Sequence, residues 1–316
     1  PYHAQKEGGG NTNVYRYTHE QNTYNPDVLG NDITDLPYPF IPGKTIPEPF
    51  GTDTVKGDGR MTIVDINTNR AYEVSQGKPD LDTCGTETVP AGPHAWCSTF
   101  NIWDLSGTGT VHYRPPCNGN WGTCDSWWQC AGGRGAGVPV IAGMVRPEEL
   151  SYAVSQDGDG VIHHALSFAY DRNRSTMRVD GVTKKVRALY PFAYRNDGMW
   201  PETDTDINRY PVEGMQFQLK PTYSVDANIS NQYGRVIART LQQYGAVLVD
   251  NGGGNSMTLN LQNLRYVSPD GYVVDNRTAW EQELPGFYDS ITVLHPGDFR
   301  VVNTPETLGA VILLEN

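Results

Sequence analysis

The sequence predicts an all-β fold, a β-sandwich of jelly-roll or concanavalin-like type with two short peripheral helices. Three observations carry this reading. The 316 residues include 34 Gly and 22 Pro, which cut the chain into short segments. Runs rich in β-branched and aromatic residues recur between those turns, at 61–65, 70–74, 98–103, 109–113, 161–170, 185–190, 214–219, 246–250, 256–261, 272–275 and 310–314. Two further stretches carry good helix end signals.

Residues 1–50 hold Gly8-Gly9-Gly10 and the prolines Pro37, Pro39, Pro42, Pro47 and Pro49, with no sustained period, and read as an extended N-terminal arm. Residues 51–316 read as one sandwich domain, since no repeat or composition break divides them. Its first feature is a hairpin, 61–65 and 70–74, joined by Ile66-Asn67-Thr68-Asn69.

Next comes a loop at 84–130 that contains every cysteine of the chain, Cys84, Cys97, Cys117, Cys124 and Cys130. None of the spacings is C-x-x-C, and the interval holds turn chemistry rather than a periodic element, so a disulfide-stapled loop is expected rather than a zinc knuckle. Each bridge would contribute roughly 2 to 4 kcal/mol by restricting the unfolded loop. At least two bridges and one unpaired cysteine are expected, with the connectivity open. Such bonds persist outside the cytosol.

The first helix starts at Arg146-Pro147-Glu148-Glu149-Leu150, with Pro in the first helical position and acids facing the positive end of the helix dipole. Gln156-Asp157-Gly158-Asp159-Gly160 reads as a tight turn rather than an EF-hand loop. The second helix has Ser230 as its expected N-cap, Val236, Ile237, Thr240, Leu241 and Tyr244 as one stripe, and Gly245 as its terminator.

Charge and hydropathy narrow the function classes. The net charge is −12 and the basic residues are scattered, which disfavours nucleic acid and anionic membrane as partners. No apolar run approaches the ~18 residues of a membrane helix. The chain opens Pro1-Tyr2-His3 with no basic and apolar leader, so the expectation is a secreted, extracellular protein whose signal peptide has been removed. Sequons at Asn173, Asn228 and Asn276 are compatible with that route but near chance in number. The expected partner is a polysaccharide, bound by a monomer with no cofactor; a structural calcium ion is compatible with the sequence.

The candidate chemistry lies where apolar runs meet turns. Asp58 and Asp65 flank one strand and Glu73 sits on its hairpin partner, so three acids converge on one hairpin in the manner of a β-sandwich glycosidase. Asp beside Gly also serves as an ordinary turn residue, and that alternative stays open. His164, in Ile162-His163-His164-Ala165-Leu166, falls on the inner face of its strand if Ile162, Leu166 and Phe168 do, which suits a general acid, a metal ligand or a satisfied structural histidine. Asp250 ends a buried strand and opens the loop Asn251-Gly252-Gly253-Gly254. His164 and Asp250 are expected close together on one concave face, the carboxylate raising the pKa of the imidazole. Trp103, Trp121, Trp127 and Trp128 crowd the cysteine loop as stacking platforms for sugar or as that loop's own small core. No G-x-S-x-G or H-E-x-x-H motif is present, which argues against common serine hydrolases and zincins.

Several segments taken together resemble a family of uncharacterised secreted bacterial proteins. They are Asp58-Gly59-Arg60-Met61-Thr62-Ile63-Val64-Asp65, Arg146-Pro147-Glu148-Glu149-Leu150, His164-Ala165-Leu166, Glu213-Gly214-Met215-Gln216-Phe217-Gln218-Leu219, Ala238-Arg239-Thr240-Leu241-Gln242-Gln243-Tyr244-Gly245 and Asp250-Asn251-Gly252-Gly253. The likeness spans about residues 55–255 and implies secretion and a β-rich fold rather than a particular reaction. The chain departs from the family at Arg60, where the family often has His, and in the cysteine- and tryptophan-rich stretch between 80 and 135.

The sequence therefore points to a secreted glycoside hydrolase with Asp58, Asp65, His164 and Asp250 as its polar centre. Arg60, Glu73 and the four tryptophans are the expected substrate contacts. A carbohydrate-binding or cell-surface module without catalysis, and a polysaccharide lyase in which Arg60 pairs with a uronate, are the alternatives.

Overall fold

The structure is a computed structural model that describes residues 134–176, 210–252, 256–264 and 274–302 with their side chains; elsewhere it describes strand paths and a few isolated residues. The chain forms two compact units, Pro1–Arg134 with Pro139–Ile141, and Gly135–Val138 with Ala142–Asn316.

In the first unit the expected hairpin is present. Strands Met61–Asp65 and Arg70–Ser75 pair antiparallel, with Asp65 opposite Arg70 and Thr62 opposite Glu73. Asn69 turns the chain at φ 51°, a left-handed conformation that asparagine tolerates. Strand Thr99–Asp104 adds to the other edge of Arg70–Ser75, setting Trp103 opposite Ala71, which is fully buried. Residues 2–3 pair in parallel with 63–64, and 13–16 with 94–97.

The second unit is built on a mixed five-stranded sheet. Its strands are β1 (Leu166–Ala169), β2 (Gln216–Leu219), β3 (Ala246–Asp250), β4 (Thr258–Leu259) and β5 (Phe299–Asn303), in the spatial order β4-β1-β3-β2-β5. Strands β1 and β3 are parallel, with Leu166 opposite Ala246 and Ala169 opposite Asp250. The other pairings are antiparallel. Strand β3 is central and its first four residues, Ala246-Val247-Leu248-Val249, are all buried, as a strand covered on both faces requires.

What covers the sheet departs from the expected sandwich. Leu166, Phe168, Leu219, Ala246 and Leu248 pack into one core with side chains from helices α1 (Pro147–Val154), α2 (Gln232–Gln243), α3 (Asn276–Glu283) and α4 (Phe287–Ile291). The two expected helices are thus part of the core rather than peripheral, because each carries an apolar face that only the sheet can bury. The opposite sheet face places Val247 and Val249 against Ala136, Val138 and Ala193.

Helix α1 begins at Pro147, as its sequence predicts. Helix α2 is capped one residue later than expected, by Asn231, whose Oδ1 accepts from the N–H groups of Tyr233 (2.8 Å) and Gly234 (3.2 Å). Val236, Ile237 and Leu241 face the core, and Gly245 closes the helix at φ 72°. Thr240 is fully buried yet satisfied, since its Oγ1 accepts from the Ile162 N–H at 2.8 Å. Helices α3 and α4 were not expected. They bury Trp280 and Phe287 completely, with the rings stacked at 5.0 Å. The Trp280 Nε1–H donates to the Gln262 carbonyl at 2.8 Å, so the indole enters the core without an unpaired donor.

Candidate functional site

His164 lies two residues ahead of β1 and leans toward the first turn of α1. Its Nε2 is 3.3 Å from Glu149 Oε1, and its Nδ1 is 2.9 Å from the Ala165 carbonyl. Arg146 Nη2 donates to the same Glu149 oxygen at 2.5 Å. The hydrogen bond to Glu149 raises the His164 pKa above its ordinary value, against the lowering effect of burial. Burial works to raise Glu149, but the hydrogen bonds from His164 and Arg146 prevail and bring it to about 2.

This geometry assigns His164 a role other than the expected general acid. Both ring nitrogens face internal acceptors, so the doubly protonated ring is the form that satisfies both contacts. Neither N–H remains to reach a substrate. The expected partnership with Asp250 is also corrected. In the parallel β1/β3 register, His164 precedes the start of β1 while Asp250 ends β3, so the two stand at opposite ends of the sheet, about six residue steps or roughly 20 Å apart. The neighbouring His163 is exposed and pairs with Asp159 (3.1 Å) and the Tyr244 hydroxyl (3.3 Å). The run 156–160 forms the expected turn, with the Gly158 N–H donating to the Ser155 carbonyl at 3.1 Å and the Gly160 N–H to the Ala153 carbonyl at 3.0 Å.

Asp250 belongs to a second polar cluster at the carboxyl ends of β1 and β3. In open sheets with parallel strands, this is the end at which ligands bind. Asp250 Oδ1 accepts from the N–H groups of Gly135 (3.2 Å) and Asn251 (3.0 Å), and its carbonyl accepts from the Tyr170 N–H at 3.1 Å. The loop that follows begins with Gly252 at φ 113°, where an added Cβ would meet nothing within 4 Å. Across β2, the Leu248 N–H donates to the Met215 carbonyl at 3.0 Å and the Gly214 N–H to the Leu248 carbonyl at 2.8 Å, which brings Glu213 to the same edge. Glu213 is fully buried and accepts from Asn173 Nδ2 at 3.1 Å. The neighbouring Arg174 is also buried, its N–H donating to the Pro211 carbonyl and its carbonyl accepting from Asn196 Nδ2, both at 2.9 Å.

The sequence reading missed Glu213, Asn173 and Arg174, because nothing in their local spacing marks a buried polar network. Asn173 was noted only as a sequon, and its complete burial excludes a glycan there in the folded chain. The sequence marks Glu149 only as a dipole complement; its partners Arg146 and His164 are what set its chemistry.

Asp58, Arg60, Trp121, Trp127 and Trp128 lie outside the described residues, as do Cys117, Cys124 and Cys130. Asp65, Glu73 and Trp103 are placed in strands, with their side chains outside the described set. The register puts three steps between Asp65 and the position opposite which Glu73 stands. Among the described residues there is no group of three or more His, Cys, Asp or Glu that could hold a metal ion. None of their helices is long and apolar enough to cross a membrane. In comparisons with known proteins, no family model, curated protein or solved structure matches the chain.

Proposed function

We propose that the chain is a secreted glycoside hydrolase whose reacting carboxylates are Asp250 and Glu213, at the carboxyl edge of β3. One observation supports this above the rest. The hydrogen bonds of Gly214 and Met215 with Leu248 hold the turn that carries Glu213 alongside the carboxyl end of β3, which Asp250 closes. Glycoside hydrolysis uses two carboxyl groups roughly 5 to 10 Å apart, the separation this reading requires of Glu213 and Asp250.

The two acids stand in unlike surroundings, which is what divides acid from base in such pairs. Glu213 is buried and bound by an amide, whereas Asp250 is half-buried, held by two backbone N–H groups and two residues ahead of Gly252, where an added Cβ would meet nothing. Leu189 and Ala193 pack against Gly214, their Cβ atoms lying 2.8 and 2.9 Å from where a Cβ on that glycine would sit. Arg174 and Asn173 act as positioning residues.

The complete burial of Glu213 favours a second reading, a carbohydrate-binding or surface module in which this network only stabilises the edge. A polysaccharide panel read by product mass separates the readings. Hydrolysis gives saturated fragments and elimination gives an unsaturated end. Asp250→Asn is expected to abolish release by the hydrolase while the fold is retained. Full turnover by that variant on a polymer the parent degrades overturns the assignment. Binding by the parent without release of fragments from any polymer establishes the module.

A further inference from the structure

At the opposite end of β2 from Glu213 the surface opens into a cleft of about 640 Å³, lined by Lys220, Thr222, Tyr223, Ser224, His295 and Asp298 among others. Its size falls within the roughly 300 to 1,000 Å³ usual for small-molecule sites. Its walls are tied together by backbone contacts. The Lys220 N–H donates to the Asp298 carbonyl at 2.8 Å, and Gln242 of α2 donates from one amide nitrogen to the carbonyls of Lys220 (3.0 Å) and Tyr223 (2.9 Å). The cleft is therefore preformed, which lowers the ordering cost of filling it.

The cleft carries one lysine cation and one aspartate anion, which offset each other. Lys220 Nζ donates to the Gly297 carbonyl at 2.6 Å, and Asp298 Oδ2 accepts from the His295 N–H at 2.9 Å. By contrast, the hydroxyls of Thr222, Tyr223 and Ser224 make no hydrogen bond among the described residues. The Tyr223 ring packs against the main core on one side, which fixes its orientation. Burial, with Asp298 nearby, raises its phenol above the ordinary value, so it remains a neutral donor. Free neutral hydroxyls beside a fixed aromatic ring, in a cleft whose one cation and one anion leave no net charge, match a ligand that is uncharged and polyhydroxylated.

We propose that this cleft is a second carbohydrate site, one that binds an uncharged oligosaccharide through Thr222, Tyr223 and Ser224 and takes no part in bond cleavage. The choice of sugar rests on the proposed function, while the preference for a neutral ligand rests on the cleft alone. Its place at the far end of β2 would let one polymer chain be held away from the reacting edge, raising the effective concentration of substrate there.

The test is calorimetric titration of the full chain carrying Asp250→Asn with cellohexaose, xylohexaose, mannohexaose, maltohexaose and hexagalacturonate. Saturable binding of at least one neutral hexasaccharide is expected. The double change Tyr223→Phe with Ser224→Ala removes two hydroxyls without altering packing, and is expected to weaken that binding about tenfold at unchanged melting temperature. No binding of any neutral hexasaccharide, binding of hexagalacturonate alone, or neutral binding unaffected by the double change overturns the proposal. These failures differ from failure of the hydrolase reading, which shows as absence of product from the parent whatever the titration gives.

Discussion

His164 and Glu149 form a contact of 3.3 Å between Nε2 and Oε1, while Nδ1 of the same ring is held at 2.9 Å by the Ala165 carbonyl. The contact joins the start of β1 to the first turn of α1, and only the protonated ring satisfies both ends of it. Folding stability is therefore linked to two titrations in this one spot.

The His164 pKa is raised in the folded chain, so its contribution is fully present below the ordinary value of 6.5 and is lost as pH rises through the folded value. Glu149 is depressed from 4.5 to about 2, so its contribution is present above 4.5 and is lost as pH falls through about 2. The contact thus stabilises most between about 4.5 and 6.5. Denaturant unfolding of the parent and His164→Gln across pH 4 to 9 is expected to show the parent's advantage in that window and its decline above it. Parallel curves over the whole range contradict the assignment.

Glu149 also holds Arg146, so removing it leaves two cations without their shared anion. The double-mutant cycle of Glu149→Gln and His164→Gln is expected to give a coupling of about 1 kcal/mol at pH 6, shrinking toward zero at pH 9 as the ring loses its charge. A coupling independent of pH would mean that the contact is steric rather than ionic.

Trp280 is the largest fully buried side chain of the core. Trp280→Ala is expected to cost about 3 to 5 kcal/mol in urea unfolding, and Trp280→Phe less, since it keeps the stack on Phe287 but leaves the Gln262 carbonyl without its donor. An alanine variant within 1 kcal/mol of the parent, on the order of a surface change, would place the indole outside the core.

Two glycines with positive φ make a contrast. At Gly143 (φ 66°) an added Cβ would stand 2.7 Å from the Ser167 nitrogen, whereas at Gly252 (φ 113°) it would meet nothing. Gly143→Ala is expected to destabilise by roughly 2 kcal/mol or more, through both strain and clash, and Gly252→Ala by about 1 kcal/mol through backbone strain alone. Thermal unfolding of the two variants reads the order, and equal losses would refute the clash.

How much was legible in the sequence follows from the range of the interactions. Strand β3 matches its expected limits because an apolar run between Gly245 and Asn251 is a local signal. Helix α2 was legible from its stripe and its terminal glycine, although the cap moved from Ser230 to Asn231. Helix α3 escaped notice because only Ala279 and Trp280 of its eight residues are buried, too few to mark a period. Strands β1 to β4 fall within expected runs, whereas β5 (Phe299–Asn303) and the helices α3 and α4 that supply much of the covering layer do not. At the sites, Asp250 was found as a strand end meeting a glycine loop. Glu213 and Glu149 were not, because their partners Asn173 and His164 are brought in only by the tertiary fold.

The parallel seam between β1 and β3 also sets an order of events. Strand β2, helix α2 and strand β3 follow one another over short connections, so their contacts close small loops. Joining Leu166 to Ala246 closes a loop that contains all of them, at a larger entropic cost. The β1/β3 seam is then made after the β2/β3 joint, and amide protection at Phe168 should arise later than at Leu248 in pulse-labelled hydrogen exchange. If Phe168 were protected first, the seam would be nucleating the sheet rather than completing it.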